Sequence, residues 1–202
     1  MSAHAFIYLA SQSPRRAQLL DQLGVAHLPL LPGPEEDAEA LEATQTGEGA
    51  EHYVQRVTAL KLLAALKRLQ RCGLQHAPVL CADTTVVLGR RILGKPESDS
   101  QALAMLQALS GRTHRVLTAV AVGMGRRHRM ALSVSRVRFE PIALQALKAY
   151  VASGEPRGKA GAYAIQGRAA AWASRIEGSY SGIMGLPLHE TAALLRQWRV
   201  AF

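Results

Sequence analysis

The chain is poor in cysteine, in aromatic side chains and in acidic groups, and each shortage narrows what it can be. Its 202 residues include two cysteines, Cys72 and Cys81, which form no Cys-x-x-Cys pair. That excludes a disulfide framework and argues against a structural zinc site, leaving buried thiols in a reducing compartment as the simplest reading. Aromatic residues are 5% of the chain, few for a surface that stacks single-stranded bases. With no helix-turn-helix or zinc-finger pattern, nucleic acid is not an expected partner. No apolar run approaches the roughly 20 residues that cross a bilayer, so no membrane association is expected. Phe6 to Ala10 is apolar, but no basic stretch precedes it and Arg15 and Arg16 follow, unlike a signal peptide, so the expected location is the cytoplasm. The seven histidines lack metal-ligand spacing. No Gly-x-Ser-x-Gly elbow and no Cys/His nucleophile pair is present. His114, beside Thr113, reads as a structural hydrogen bonder.

What is abundant is apolar and basic. Hydrophobic residues make up 49% of the chain, enough for a sizeable core, and the length suits a single domain over residues 1–202, built as two lobes around a cleft. Lys and Arg number 24 against 15 Asp and Glu, a net charge of +9 that suits polyanionic partners such as phosphorylated substrates. The cations come in short groups: Arg15-Arg16, Lys67-Arg68-Arg71, Arg90-Arg91, Arg126-Arg127-Arg129 and Arg136-Arg138. All but the first are read as solvated basic surface.

Phe6 to Ala10 reads as a buried strand. Ser13 as N-cap and Pro14 at the first helical position open a helix that runs to about Leu23 and stops at Gly24. Val25 to Leu31 is a candidate strand, and Pro32 to Ala50 an acidic surface loop. Val54, Val57, Leu60, Leu63 and Ala64 repeat with helical period, giving a helix from Glu51 to about Arg71. Val79 to Ala82 and Thr85 to Leu88 are extended, and Gly89-Arg90-Arg91 turns the chain into Ile92-Leu93. Helices are expected over Ser100 to Leu109, Pro141 to Ser153 and Leu188 to Arg199. Strands are expected over Arg115 to Val122, Met130 to Phe139, Tyr163 to Ile165 and Ala169 to Ile176, with a Gly-rich turn at Gly178 and Gly182. Strands and helices alternate but include hairpins, which predicts an α/β fold with a mixed sheet flanked by helices.

Four segments carry candidate chemistry. In Ser11-Gln12-Ser13-Pro14-Arg15-Arg16, a helix N-terminus after a strand offers free amides to a phosphate. Two arginines in a first turn oppose their own helix dipole, which a bound anion would explain; an ordinary capped helix with exposed arginines is the alternative. Asp83 ends an apolar strand, a usual place for a metal ligand or general base, or else it caps the next turn. Lys95, after a short hairpin, either meets phosphate oxygens near it or is surface. In Lys159-Ala160-Gly161-Ala162-Tyr163-Ala164-Ile165-Gln166-Gly167, small residues surround one lysine and one amide. Gln166 either reads a ligand or is a buried amide serving the backbone. Gly178-Ser179-Tyr180-Ser181-Gly182 fits neither a Walker A loop nor a dinucleotide fingerprint.

Taken in order, these segments resemble the Maf family of nucleotide pyrophosphatases. The resemblance rests on Leu9-Ala10-Ser11-Gln12-Ser13-Pro14-Arg15-Arg16, Glu35-Glu36, Lys61, Ala82-Asp83-Thr84, Gly94-Lys95-Pro96, Leu109-Ser110-Gly111, His114 with Val116 and Thr118, Lys159 to Gly167, Gly178-Ser179-Tyr180 and Gly185-Leu186-Pro187. Any one is weak; their joint order over about Phe6 to Leu195 is specific. The resemblance implies a mixed-sheet α/β fold with a cleft between two lobes, often dimeric, and hydrolysis between the α- and β-phosphates aided by a divalent cation, Mg²⁺ or Mn²⁺. It implies Asp83 as proton acceptor, with Glu35, Lys61 and Lys95 lining the phosphate and metal site and Glu35 and Asp83 as metal ligands. Ser13, Arg15, Arg16, Lys61, Thr84, Lys159 and Gln166 are the expected substrate contacts. Arg15, Thr84 and Gln166 match the branch acting on dTTP and UTP, so a pyrimidine nucleoside triphosphate is the expected substrate and a homodimer the expected assembly. Two departures stand out. Arg136 and Arg138 replace a Thr-plus-acidic pattern and are placed at the cleft rim or a dimer surface, and Thr58 replaces an alanine.

The chemistry suits these residues. Arg15, Arg16, Lys61 and Lys95 with a divalent ion would neutralise a triphosphate, the main protein contribution to phosphoryl transfer. Uracil and thymine present an acceptor–donor–acceptor edge that an amide such as Gln166 can partly pair. The alternatives are a pyrophosphatase for 7-methyl-GTP or another non-standard nucleotide, and a nucleic-acid-binding or cell-division regulator without catalysis.

Overall fold

Apolar residues without alternation make strands that are buried on both faces, and two such strands form the centre of this protein. The computed structural model describes residues 3–33, 36 and 40–202. Strand β3 (Val79–Leu88) and strand β5 (Thr113–Met124) are buried along most of their length and pair antiparallel from Val79↔Gly123 to Val87↔Arg115. Beside β3 lie β1 (Ile7–Leu9) and then β2 (His27–Pro29), both parallel. Beside β5 lie β6 (Arg127–Phe139) and β7 (Ala173–Glu177), both antiparallel. The seven-stranded mixed sheet has the order β2-β1-β3-β5-β6-β7, with β4 (Arg91–Leu93) added to β3.

One helix covers one face of the sheet. Helix α2 (Ala50–Arg71) buries Tyr53, Val54, Val57, Leu62, Ala65 and Leu69, at the helical spacing of an apolar stripe. Against it stand the odd-numbered residues of the central strands, Val79, Cys81, Val87, Leu117, Ala119 and Ala121. Thr58 lies in this stripe fully buried, and its hydroxyl donates to the Val54 carbonyl one turn back, so it needs no other partner.

The other face carries the remaining helices in two separate apolar groups. Helices α1 (Pro14–Gln22) and α6 (Leu188–Gln197) pack on Leu80, Ala82, Val120 and Val122. Helices α3 (Asp99–Leu109) and α4 (Leu144–Ala152) pack on Val86, Val116, Val137 and Phe139. Between the two groups, Thr84 on β3, Thr118 on β5 and Ser133 on β6 form a polar row in register across the sheet. Two apolar bodies separated by a polar seam are the physical form of the two expected lobes.

The edge of β3 opens at the same level. Its pairing with β1 ends at Leu9↔Leu80, and its pairing with β4 begins at Val86↔Leu93. Between these points no strand among the described residues covers that edge, so Asp83 and Thr84 face a gap from opposite sides of the sheet.

Several expectations need correction. Tyr163 to Ile165 is not a strand: Gly161 and Ala162 both take left-handed backbone (φ 68° and 62°), which turns the chain away from any ladder. A Cβ at Gly161 would lie 2.8 Å from Val86 Cγ1, so only glycine fits. Arg168–Trp172 is a 3-10 turn, and the strand begins only at Ala173. The Gly-rich turn contains a short helix, α5 (Tyr180–Met184), which includes Gly182. Helix α4 starts at Leu144 rather than Pro141, and ahead of it the Ile142 amide donates to Ser110 Oγ at 2.8 Å. Within the acidic loop a 3-10 turn forms over Ala40–Glu42. Cys81 is buried, but Cys72, at the C-cap of α2, is exposed. Arg68 is no surface cation: it is 7% exposed and donates from Nε and Nη2 to Glu36 and from Nη1 to the Leu30 carbonyl. Arg136 and Arg138 lie away from the cleft, in a shallow groove with Arg175 and Glu177. No helix among the described residues is long and apolar enough to cross a membrane.

Candidate active site

The gap in the β3 edge opens into a cleft of about 470 Å³. Every described residue singled out from the sequence lines it: Ser13, Arg15 and Arg16 from the start of α1, Lys61 from α2, Asp83 and Thr84 from β3, Lys95 after β4, and Lys159 and Gln166 from the segment before β7. Glu35 lies outside the described residues.

On the α2 side the cleft is a chain of alternating charge. The Lys61 ammonium donates to Asp83 Oδ1 at 2.6 Å and to Glu42 Oε1 at 2.7 Å. Lys95 donates to both oxygens of the same Glu42, at 3.0 and 2.9 Å. Burial alone would lower the Lys61 pKa, but the charges of Asp83 and Glu42 outweigh it, so the amine is held as an ammonium above its usual range. Burial likewise pushes the Glu42 carboxyl up, and Lys61 and Lys95 reverse that to a net lowering. Lys61 reaches Asp83 because both stand on the odd-numbered side of the sheet. Lys95 arrives because the β3–β4 hairpin folds back along the open edge.

Glu42 is the functional candidate that the sequence did not disclose. It stands in an acidic stretch with Glu35, Glu36, Glu39 and Glu48, and nothing local separates it from them. Glu36, also on the cleft wall, is instead committed to structure. Its carboxyl is held down at about 2, first by the Arg68 hydrogen bond and also by Arg71, against the opposing effect of burial. That clasp fixes the end of β2's exit segment to α2.

On the other side the start of α1 points into the cleft. Ser13 occupies the N-cap position but its side chain accepts no first-turn amide; its own amide donates to Ser11 Oγ at 3.1 Å. Pro14 has no N–H and the Arg16 amide donates to the Ser13 carbonyl at 3.1 Å, so in the first turn Arg15 alone keeps an amide without a hydrogen bond among the described residues. Arg16 Nε donates to the Gly185 carbonyl at 2.8 Å and Nη1 to Ser11 Oγ at 3.0 Å, so this arginine is neither exposed nor free but ties α1 to the end of α5. Arg15 makes one long bond, Nε to the Met184 carbonyl at 3.4 Å, and leaves most of its guanidinium to the cleft. Burial lowers the pKa of both, and of Lys159, on which Arg15 also acts.

Thr84 lies on this second side, 2.9 Å from Thr118 Oγ1. Gln166 is exposed at the cleft edge, and its amide has no hydrogen-bond partner among the described residues. It is therefore neither a buried amide serving the backbone nor, without a ligand, a held one. His114 is buried behind the cleft: its Nε2 meets the Tyr163 hydroxyl at 2.7 Å, and burial lowers its pKa to about 4, so it is neutral and structural.

The donor set suits a hard divalent cation. No group of three or more His, Cys, Asp or Glu side chains with metal-binding geometry occurs among the described residues. Two carboxylates, Asp83 and Glu42, do share the cleft through Lys61. Magnesium is commonly held by one or two carboxylates with substrate phosphates and water completing the shell, which fits this pair.

The comparisons with known proteins agree with one another. Residues 6–198 match the family described as Maf-like protein. The chain is 64% identical over 196 residues to the dTTP/UTP pyrophosphatase of a Polaromonas species, covering 97% of each chain. It is 62% identical to the dTTP/UTP pyrophosphatase of Cupriavidus pinatubonensis, covering 98% of this chain and all of that one. It is 61% identical to that of Burkholderia pseudomallei, covering 99% of this chain and 97% of the other.

Proposed function

This chain belongs to the Maf family, and from that premise we propose that it hydrolyses dTTP and UTP to the nucleoside monophosphate and pyrophosphate. The observation that carries the reading is the array Asp83–Lys61–Glu42–Lys95 facing Arg15 and the start of α1 across one cleft. A nucleoside triphosphate needs both halves: cations for its phosphates and a base to deprotonate water.

Asp83 takes the proton from the water that attacks the α-phosphorus, and Lys61 holds its carboxylate in place from 2.6 Å. Lys61, Lys95 and Arg15, with the positive end of α1, balance the charge that gathers on the leaving pyrophosphate. Ser13 and Lys159 complete the phosphate surround, and Arg16 holds the wall formed by α5. Gln166 meets the base from the cleft edge, where its amide is free to pair with a carbonyl of uracil or thymine. Asp83, Glu35 and Glu42 are the carboxylates that would hold a divalent ion, Mg²⁺ or Mn²⁺. When bound, that ion neutralises phosphate charge and acidifies water. We place the enzyme in the cytoplasm as a homodimer, one domain per chain, in line with the two-cysteine composition and the family resemblance.

Pyrophosphate release from UTP, dTTP, CTP, GTP and 7-methyl-GTP tests the reading. UTP and dTTP turnover should exceed the other three and should vanish on chelation of divalent cations. A preference for 7-methyl-GTP, or no pyrophosphate from any of the five, contradicts it.

A further inference from the structure

Three hydroxyl and carbonyl groups on the seam between the lobes fix where one proton can be. Thr118 Oγ1 donates to the Gly182 carbonyl at 2.7 Å, and a carbonyl can only accept. A hydroxyl has one proton, so Thr118 has none left for its other neighbour. The 2.9 Å contact between Thr84 and Thr118 is therefore a bond donated by Thr84. That leaves Thr84 Oγ1 with lone pairs and no proton to offer the cleft.

The relay is held by its surroundings. Thr118 is 1% exposed, at the centre of the sheet. Helix α5 is bolted to the same seam by Ser135, whose Oγ donates to the Ser179 carbonyl at 3.2 Å and accepts from the Ser179 amide at 3.0 Å. A Cβ at Gly182 would come within 3.2 Å of Ser133 Oγ and 3.1 Å of Ser179 Cβ, so the glycine lets α5 approach closely enough for its carbonyl to reach Thr118.

Thr84 also lines the cleft, on the sheet face opposite Asp83. The charged array lies on the odd-numbered face with Asp83. Thr84 shares the even-numbered face with Val86 and Val116, and the cleft wall there also carries Ile165, Gln166 and Ile183 besides Arg15 and Arg16.

We propose that Thr118 is a positioning residue for base choice: with its own proton committed to the Gly182 carbonyl, it accepts the hydrogen bond of the Thr84 hydroxyl and makes Thr84 an obligate acceptor that selects a ring N–H. Uracil and thymine carry a proton on N3 and cytosine carries a lone pair there, so an acceptor that cannot turn into a donor meets the first two favourably and repels the third. This inference rests on the dTTP/UTP reading above.

The test is the ratio of kcat/KM for UTP to that for CTP. Thr118→Val keeps the shape but cannot accept, which frees the Thr84 hydroxyl to rotate and donate to cytosine N3. The ratio should fall by roughly 2- to 13-fold, the worth of one neutral hydrogen bond. Thr118→Ser, which keeps the relay, should retain the wild-type ratio. Equal loss on both substrates in Thr118→Val, with the ratio unchanged, would make Thr118 merely structural and overturn the proposal. Should Thr118→Val not fold, Thr84→Val leaves the Thr118–Gly182 bond intact and removes the acceptor itself. The same fall in ratio is expected there, and an unchanged ratio overturns the proposal. Wild-type protein that releases no pyrophosphate from UTP would instead defeat the underlying activity, a distinct result.

Discussion

In the proposed reaction, Asp83 is the residue on which the chemistry turns. It is a carboxylate at 8% exposure, ending an apolar stretch, with a single ammonium 2.6 Å from one oxygen. The second oxygen is the candidate proton acceptor. Asp83→Asn keeps the shape and the Lys61 contact but loses the basicity. Turnover should fall by about 10²–10⁴-fold, the usual contribution of a general base, while the melting temperature stays close to wild type. Near-normal turnover in the folded variant would remove Asp83 from that role. At this scale the sequence was informative wherever function needs a residue type within a local pattern. Ser13, Arg15, Lys61, Asp83, Thr84, Lys95, Lys159 and Gln166, singled out through segment order and resemblance, all line one cleft. It was uninformative for Glu42, which reaches Lys61 and Lys95 only through a fold of its loop. It was equally silent on the task of Arg16, whose partner Ser11 is near in sequence but whose partner Gly185 is remote.

Among the elements, α2 has two duties: it covers one face of the sheet and presents Lys61 to the cleft. Its far end also anchors the segment after β2 through Arg68 and Glu36, a pair less than a fifth exposed on either side. The Glu36 carboxyl lies at about 2 in the folded protein, below the roughly 4.3 of an unfolded chain. A lowered carboxyl stabilises the fold in full above the unfolded pKa, and that stabilisation is lost as pH falls through the folded value. The melting temperature should accordingly decline between about pH 4.5 and pH 2. Glu36→Gln should cost roughly 1–3 kcal/mol at neutral pH and flatten that decline. Part of the slope should survive in the variant, since Glu48, paired with Arg56, is also drawn down to about 2. Thermal melts of both proteins across this range check it; an unchanged slope in Glu36→Gln would show the clasp to be idle. The long elements were legible because hydrophobic period identifies them: α2 from its stripe, β3 and β5 from unbroken apolar runs, β6 from its alternation of Val137 and Phe139 with Arg136 and Arg138. The segment Tyr163 to Trp172 was misread because it is as apolar as a strand. Its burial comes from coils and 3-10 turns that wrap the α3–α4 lobe, and left-handed Ala162 gives no compositional sign.

In the whole molecule, topology places the chemistry. Parallel β1 and antiparallel β4 meet β3 at different heights, and the unpaired stretch between them opens to the Asp83–Lys61–Glu42–Lys95 array on one face and to Thr84 with the arginines of α1 on the other. The lobes are two apolar clusters that share one sheet, so the cleft is a seam in a common core rather than a joint between separate units. The net charge of +9, read from composition as an affinity for polyanions, is consistent with a phosphate-bearing substrate entering such a seam. The central claim is that water, deprotonated at Asp83, attacks the α-phosphorus of a pyrimidine nucleoside triphosphate. Hydrolysis of UTP in ¹⁸O-labelled water, with products separated and weighed by mass spectrometry, tests it directly. The account predicts UMP carrying the label and unlabelled pyrophosphate, with no UDP at any time. Label in the pyrophosphate, or UDP with labelled inorganic phosphate, would contradict it.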